Sequence, residues 1–130
     1  MENAERRETP DALRAIERNL AEVRDLIRAA CLRAGRPRDS VALLPVVKAV
    51  DAATAALLHR LGVRDLAEGT LQGATAKAEA LAGLEGLRWH LVGHLQTNKA
   101  RKAAGLFASI HSLAHGQAAD DMNAIACPRP

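Results

Sequence analysis

The sequence predicts an α/β protein whose parallel sheet is built from repeated strand–helix units. Four short apolar segments begin near residues 41, 63, 87 and 106, and a stretch of helical character follows each one. Strands spaced by roughly 20 residues suit parallel pairing through helical crossovers. Hydrophobic residues make up 48% of the chain and aromatic residues only 2%. The core must therefore consist of Leu, Val, Ile and Ala, and abundant alanine favours helices.

A long amphipathic helix is predicted over residues 9–35, ahead of the first strand. Thr9-Pro10-Asp11 is typical of a helix start, with Thr9 as the N-cap and Pro10 in the first helical position. Apolar residues then recur at helical spacing and form one stripe: Leu13, Ile16, Leu20, Val23 and Ile27. Gly35 and Pro37 are expected to end this helix. We expect it to cover another surface and to carry no chemistry.

The segment Val41–Lys48 is an apolar run that ends in a single cation. Its composition predicts a strand buried on both faces, with Leu44, Val46 and Lys48 on one of them. Lys48 has two interpretations from this segment alone. Its stem could pack while its ammonium reaches water. Alternatively, a partly desolvated amine could attack a carbonyl and form a Schiff base.

The rest of the chain continues the alternation of strands and helices. The predicted strands cover residues 63–68, 87–93 and 106–110, and the predicted helices 51–60, 71–81, 96–104 and 116–126. Asp51 and Thr70 are expected to cap two of these helices. Polar residues follow the strands where they end: Lys48, Glu68, His94, His111 and Ser112. Ligands bind at the carboxyl ends of parallel strands, so this rim is the candidate site.

Composition excludes several other classes. The net charge of +3 is modest, and acidic and basic residues are interleaved, which argues against a nucleic-acid partner. Cys31 and Cys127 form neither a disulfide framework nor a metal spacing, so we expect a reducing cytoplasm. No apolar run approaches the ~20 residues of a membrane span, so no membrane partner is expected. His90 and His94 lack a nearby thiol or carboxylate at ligand spacing, so no metal is expected.

The segment Trp89–Lys99, WHLVGHLQTNK, is the most specific string in the chain. It closely resembles the signature of the pyridoxal phosphate homeostasis proteins, which are related to the N-terminal barrel domain of alanine racemase. Residues 44–48, 67–72 and 110–113 resemble further segments of that family. The resemblance implies half of a TIM-type β/α barrel, with four βα units over residues 41–126 in a single domain of residues 1–130. A full barrel takes ~250 residues.

The resemblance also implies a function. Lys48 matches the lysine that holds pyridoxal 5'-phosphate as a Schiff base, and the family acts in vitamin B6 homeostasis without clear catalytic turnover. Glu68, His90, Asn98 and Ser112 match positions where further cofactor contacts are expected. The chain departs from the family pattern near Lys48. Val47 replaces a serine, Gly69 replaces an asparagine, and the family's phosphate-binding strands have no counterpart in these residues.

Two other functions stay open. The half barrel could be a cofactor-free interaction module that forms oligomers. An amino-acid racemase is a weaker alternative, because no second acid–base residue is predicted opposite Lys48. A half barrel would expose two sheet edges and an apolar inner face that includes Leu44 and Val46, so we expect self-association of the chain. Trp89 is expected to pack under the helices, on the sheet face opposite His90 and Val92.

Overall fold

The computed structural model describes residues 2–111, and the side chains of residues 2–10 and of Thr97 are outside this description. The chain divides into two compact units, Met1–Leu43 and Leu44–Pro130. The predicted helix over residues 116–126 lies outside the described residues. Among the helices that are described, none is long and apolar enough to cross a membrane.

The first unit contains a single long helix, α1 (Glu2–Ala34). The prediction that this helix begins at Thr9 was wrong, since it begins before Pro10. The residues ahead of Pro10 are mainly Ala, Glu and Arg, which have high helix propensity and extend the helix backwards. The predicted end is confirmed. The amide of Arg36 donates to the Cys31 carbonyl and that of Gly35 to the Leu32 carbonyl, which is a Schellman motif with Gly35 at φ 66°.

The second unit alternates helices and strands as predicted. Its elements are α2 (Ala52–Arg60), β1 (Asp65–Glu68), α3 (Leu71–Ala80), β2 (Arg88–Leu91), a 3-10 turn (Thr97–Lys99), α4 (Ala100–Leu106) and β3 (Phe107–Ile110). The strands form a parallel sheet in the order β1-β2-β3. The predicted caps are confirmed, because the Asp51 side chain accepts from the Thr54 amide and the Thr70 side chain from the Gly73 amide. An α/β protein with a parallel sheet is therefore confirmed.

The predicted first strand over residues 41–48 is wrong as a full strand. Only one parallel bridge forms, between Val46 and Ala67. The Val47 amide donates to the Ala67 carbonyl, and the Ala67 amide donates to the Pro45 carbonyl, both at 2.8 Å. The segment is also not buried on both faces, since Val47 is 1% exposed and Val46 is 50% exposed. Pro45 has no amide to extend a ladder, which helps to explain why pairing with β1 stays so short.

The helices α3 and α4 cover one side of the sheet, which we call the helix face. α3 packs against β1 and β2, and α4 packs against β3. The side chains directed to this face are buried: Val47, Leu66, Glu68, Trp89, Leu91 and Phe107. Trp89 is only 5% exposed, which confirms that it packs under the helices. Alternation along β2 then places His90 on the other side of the sheet.

The other side of the sheet, which we call the polar face, carries six polar or charged side chains. They are Lys48, Asp65, Arg88, His90, Ser109 and His111. The predicted inner face is therefore largely polar, and its apolar positions are Val46, Ala67 and the half-buried Leu44. Alternation alone could not show this, because which residues share a face across three strands depends on the register between them.

Candidate functional site

Lys48 lies on the polar face, at the end of the segment that pairs with β1. Val47 points into the core, so alternation directs Lys48 to the opposite side, where it is exposed. A Cβ atom built on Gly69 would lie 3.4 Å from Lys48 Cδ and 3.8 Å from Lys48 Cβ. These distances show that Lys48 and Gly69 are side by side, where the bridged segment and β1 end. The position is the one where ligands bind in parallel α/β sheets.

The backbones of Gly69 and Gly93 approach each other closely at the carboxyl ends of β1 and β2. A Cβ atom on Gly93 would lie 1.7 Å from the Gly69 carbonyl oxygen, so only glycine fits there. The Val92 amide donates to the Glu68 carbonyl at 3.1 Å, which continues the pairing of β1 and β2 up to this point. The glycine that ends the WHLVG string therefore has a structural role. It lets the chain after β2 lie against the strand end next to Lys48.

Four polar side chains on the polar face form one hydrogen-bonded chain. His90 Nε2 lies 2.8 Å from Asp65 Oδ1, and Ser109 Oγ lies within hydrogen-bonding distance of both His90 Nδ1 and His111 Nε2. The register places them together, since Ala67 pairs with His90 and His90 with Ser109. We call Asp65, His90, Ser109 and His111 the polar chain.

Arg88 fixes the charge at one end of the polar chain. Its guanidinium donates from Nε to Asp65 Oδ1 and from Nη2 to Asp65 Oδ2, both at 2.7 Å. These hydrogen bonds, with a smaller contribution from His90, lower the pKa of the Asp65 carboxyl to about 2. Asp65 is thus an anion at neutral pH and can only accept hydrogen bonds.

Glu68 does not lie beside Lys48 on the polar face. Its side chain is on the helix face and nearly buried, with Oε2 2.6 Å from Lys77 Nζ on α3. Its Oε1 accepts from the Gly69 amide at 3.0 Å. The structure therefore connects Glu68 with the backbone next to Lys48, and not with a ligand on the polar face.

Asn98 lies in the 3-10 turn and is exposed. Together with α3 and α4 it lines a groove of about 800 Å³, whose other lining residues include Leu71, Gln72, Thr75, Lys99, Arg101 and Lys102. This groove is between helices and not on the face that carries Lys48. Ser112 lies outside the described residues.

Sequence reasoning found Lys48 and His90 but missed Asp65, Arg88 and Ser109. The sequence carries only a weak signal for these three residues. Asp65 and Arg88 have the parity of polar-face positions within their strands, but Ser109 has the parity of Phe107 and reaches the polar face only because the pairing of β2 and β3 changes register between Trp89 and His90. The sequence does not reveal that irregularity. Among the described residues, no group of three or more His, Cys, Asp or Glu side chains could hold a metal ion.

The fold and the site together define a parallel α/β protein with an exposed lysine beside the carboxyl end of β1. No family model matches the chain. The curated proteins supply relatives. The chain is 42% identical over 98 residues to the pyridoxal phosphate homeostasis protein of Pseudomonas aeruginosa, across 75% of this chain and 42% of that protein. The corresponding protein of Escherichia coli K12 is 38% identical over 100 residues, across 75% of this chain and 43% of that protein.

Solved structures agree with these relatives. PipY of Synechococcus elongatus, solved with pyridoxal phosphate bound, has a TM-score of 0.65 and 41% identity across 75% of this chain and 46% of that one. A protein from Bifidobacterium adolescentis has a TM-score of 0.75 and 32% identity across 87% of this chain and 50% of that one. The chain is thus a homologue of the pyridoxal phosphate homeostasis proteins, as the WHLVGHLQTNK string indicated, and it spans less than half the length of the curated relatives it matches.

Proposed function

We propose that this chain binds pyridoxal 5'-phosphate through Lys48 and acts in vitamin B6 homeostasis. One observation carries the proposal. Lys48 is exposed beside Gly69, which follows β1, within a chain that resembles a structure solved with pyridoxal phosphate bound. Homologues under the name pyridoxal phosphate homeostasis protein support the same function. The bound cofactor would supply an aldehyde, with which a primary amine condenses with loss of one water.

The surroundings of Lys48 fit the aldehyde end of such a cofactor. Gly69 has no side chain, so the space beside the Lys48 stem stays open, and a Cβ there would already touch Lys48 Cδ at 3.4 Å. The hydrogen bond from the Gly69 amide to buried Glu68 holds this backbone in place. We therefore assign Glu68 a positioning role beside Lys48, and Lys77 the role of neutralising its charge.

His90 fits the site through the polar chain. Its ring is held from both nitrogens, by Asp65 and by Ser109, and its side chain is 14% exposed. It would help to keep the polar face ordered below a cofactor on Lys48. Asn98 lines the groove between α3 and α4, so we assign it no contact with a ligand on the polar face.

We further propose that the sheet is one side of a β/α barrel. The consecutive parallel order β1-β2-β3, with α3 and α4 packed on the helix face, supports this arrangement. In that case the polar face lines the barrel interior. Two copies of the chain could pair at the sheet edge that carries the half-exposed Val46. Sedimentation velocity over a range of concentrations tests this pairing, and a monomer at every concentration would refute it.

Titration of the purified chain with pyridoxal 5'-phosphate tests the binding proposal. We expect a saturable change in the cofactor's absorbance spectrum that Lys48→Ala removes. Lys102→Ala is the matched control, because Lys102 is also exposed but lies on α4. An equal spectral change in wild type and Lys48→Ala would show that the lysine assignment is wrong. Unchanged far-ultraviolet circular dichroism in both variants would show that the fold is intact.

A further inference from the structure

The polar chain has a fixed direction of hydrogen bonding. Asp65 is ionised and only accepts, so His90 must donate from Nε2. In the neutral ring His90 Nδ1 is then an acceptor, and it takes the hydroxyl hydrogen of Ser109. The single hydroxyl hydrogen of Ser109 is already donated to His90. Ser109 Oγ therefore accepts the third hydrogen bond, from His111 Nε2 at 2.8 Å. Every donor in the polar chain therefore points toward Asp65.

This direction is the one that activates a serine hydroxyl. A nucleophilic serine needs a base within hydrogen-bonding distance and a third group that orients the base. His90 Nδ1 occupies the position of the base for Ser109, and Asp65 Oδ1 holds the opposite ring nitrogen at 2.8 Å. The hydrogen bond from His111 Nε2 occupies one lone pair of the Ser109 oxygen and so helps to direct the hydroxyl hydrogen toward His90 Nδ1. Ser109 is partly exposed, so a small molecule can reach it.

We propose that Ser109 is a nucleophile toward small activated carboxylic esters, with His90 as its general base and Asp65 as a positioning residue. Ser109 and Lys48 share the polar face, but the proposed ester chemistry uses neither Lys48 nor a bound cofactor. Ser109 Oγ forms a bond to the ester carbonyl carbon while its proton moves to His90 Nδ1. The bond from that carbon to the alcohol oxygen then breaks, and the proton leaves with the alcohol. Water cleaves the acyl group from Ser109 by the same steps, which releases the acid and restores the hydroxyl.

The test uses a fluorophosphonate probe and 4-nitrophenyl acetate on the full chain. The probe carries its own leaving group, so a reactive serine retains the phosphonyl group, and intact mass with peptide mapping identifies the residue. We expect one label, on Ser109, and ester hydrolysis that falls at least tenfold in Ser109→Ala and in His90→Gln. Ser40→Ala is the control. Its hydroxyl is exposed and donates to the Pro37 carbonyl at 2.7 Å, with no base in contact.

The positioning role of Asp65 is tested by the rate at which the probe labels Ser109. Asp65→Asn should slow labelling of Ser109, while Asp65→Glu, which restores a carboxylate, should recover part of the rate. Circular dichroism checks that both variants fold. Label on another residue, absence of label on the wild-type chain, or an unchanged hydrolysis rate in Ser109→Ala would overturn the proposal. The last result would identify hydrolysis by exposed imidazoles alone.

Discussion

The buried ion pair of Glu68 and Lys77 offers a stringent test of the packing between β1 and α3. Glu68 Oε2 lies 2.6 Å from Lys77 Nζ, and the two side chains are 4% and 13% exposed. Lys77→Met keeps most of the stem volume but leaves a buried carboxylate without its cation. Breaking such a pair typically costs about 3–5 kcal/mol in the free energy of unfolding. For a domain of this size we expect a melting temperature lower by about 10–20 °C.

The assay is urea unfolding followed by circular dichroism at neutral pH. Lys102→Met is the matched control at an exposed position of α4. It should change the free energy of unfolding by less than about 0.5 kcal/mol. The double variant Glu68→Gln with Lys77→Met should recover most of the loss, since no buried charge remains. A cost below about 1 kcal/mol for Lys77→Met alone would refute the buried pair. Glu68 would then be free for other contacts.

Three further predictions concern the sheet and its loops. Trp89→Ala should lower the free energy of unfolding by about 3–5 kcal/mol in chemical denaturation, because the ring is 5% exposed; a cost below about 1 kcal/mol would contradict its burial. Gly86 has φ 79°, so Gly86→Ala should lower the free energy of unfolding by about 1 kcal/mol. Gly83 has open space around it, so Gly83→Ala should leave the free energy of unfolding unchanged or raise it. Equal effects of the two substitutions would contradict the turn at Gly86. The pKa of Asp65 falls from 3.8 to about 2 on folding, so its ion pair stabilises the fold above about pH 4, and that stabilisation is lost as the pH falls toward 2. Because the partner Arg88 is exposed, we expect this ion pair to contribute only about 1 kcal/mol to the free energy of unfolding. The measurement is the stability difference between wild type and Asp65→Asn, which should disappear at low pH. A difference that does not change with pH would contradict the pairing.

Local chemistry explains why most elements could be predicted. Asp51 and Thr70 cap helices through their own side chains, and Gly35 ends α1 through a local motif. These contacts span only a few residues, so the sequence nearby specifies them. The parallel pairing of the strands also followed from the alternation of apolar and helical segments. Lys48 could be identified for the same reason, since a cation that ends an apolar segment is visible in one stretch of sequence.

The remaining features depend on pairing between distant segments. Residues 41–48 were expected to form a full strand, but the segment makes only one bridge to β1, which composition does not specify. Glu68 was grouped with Lys48 because both end strands, yet alternation directs Glu68 to the helices. The contact of His90 with Ser109 depends on a register change between β2 and β3. Such registers depend on packing across the whole sheet.

Residue-specific trapping of the cofactor tests the proposed function most directly. The chain is incubated with pyridoxal 5'-phosphate, reduced with borohydride, digested and mapped by mass spectrometry. We expect one dominant modified peptide, with the reduced adduct on Lys48 and only trace labelling of Lys77, Lys99 and Lys102. Labelling of Lys99 or Lys102 at the same rate as Lys48 would contradict cofactor binding at Lys48. A dominant adduct at any lysine other than Lys48 would contradict it as well.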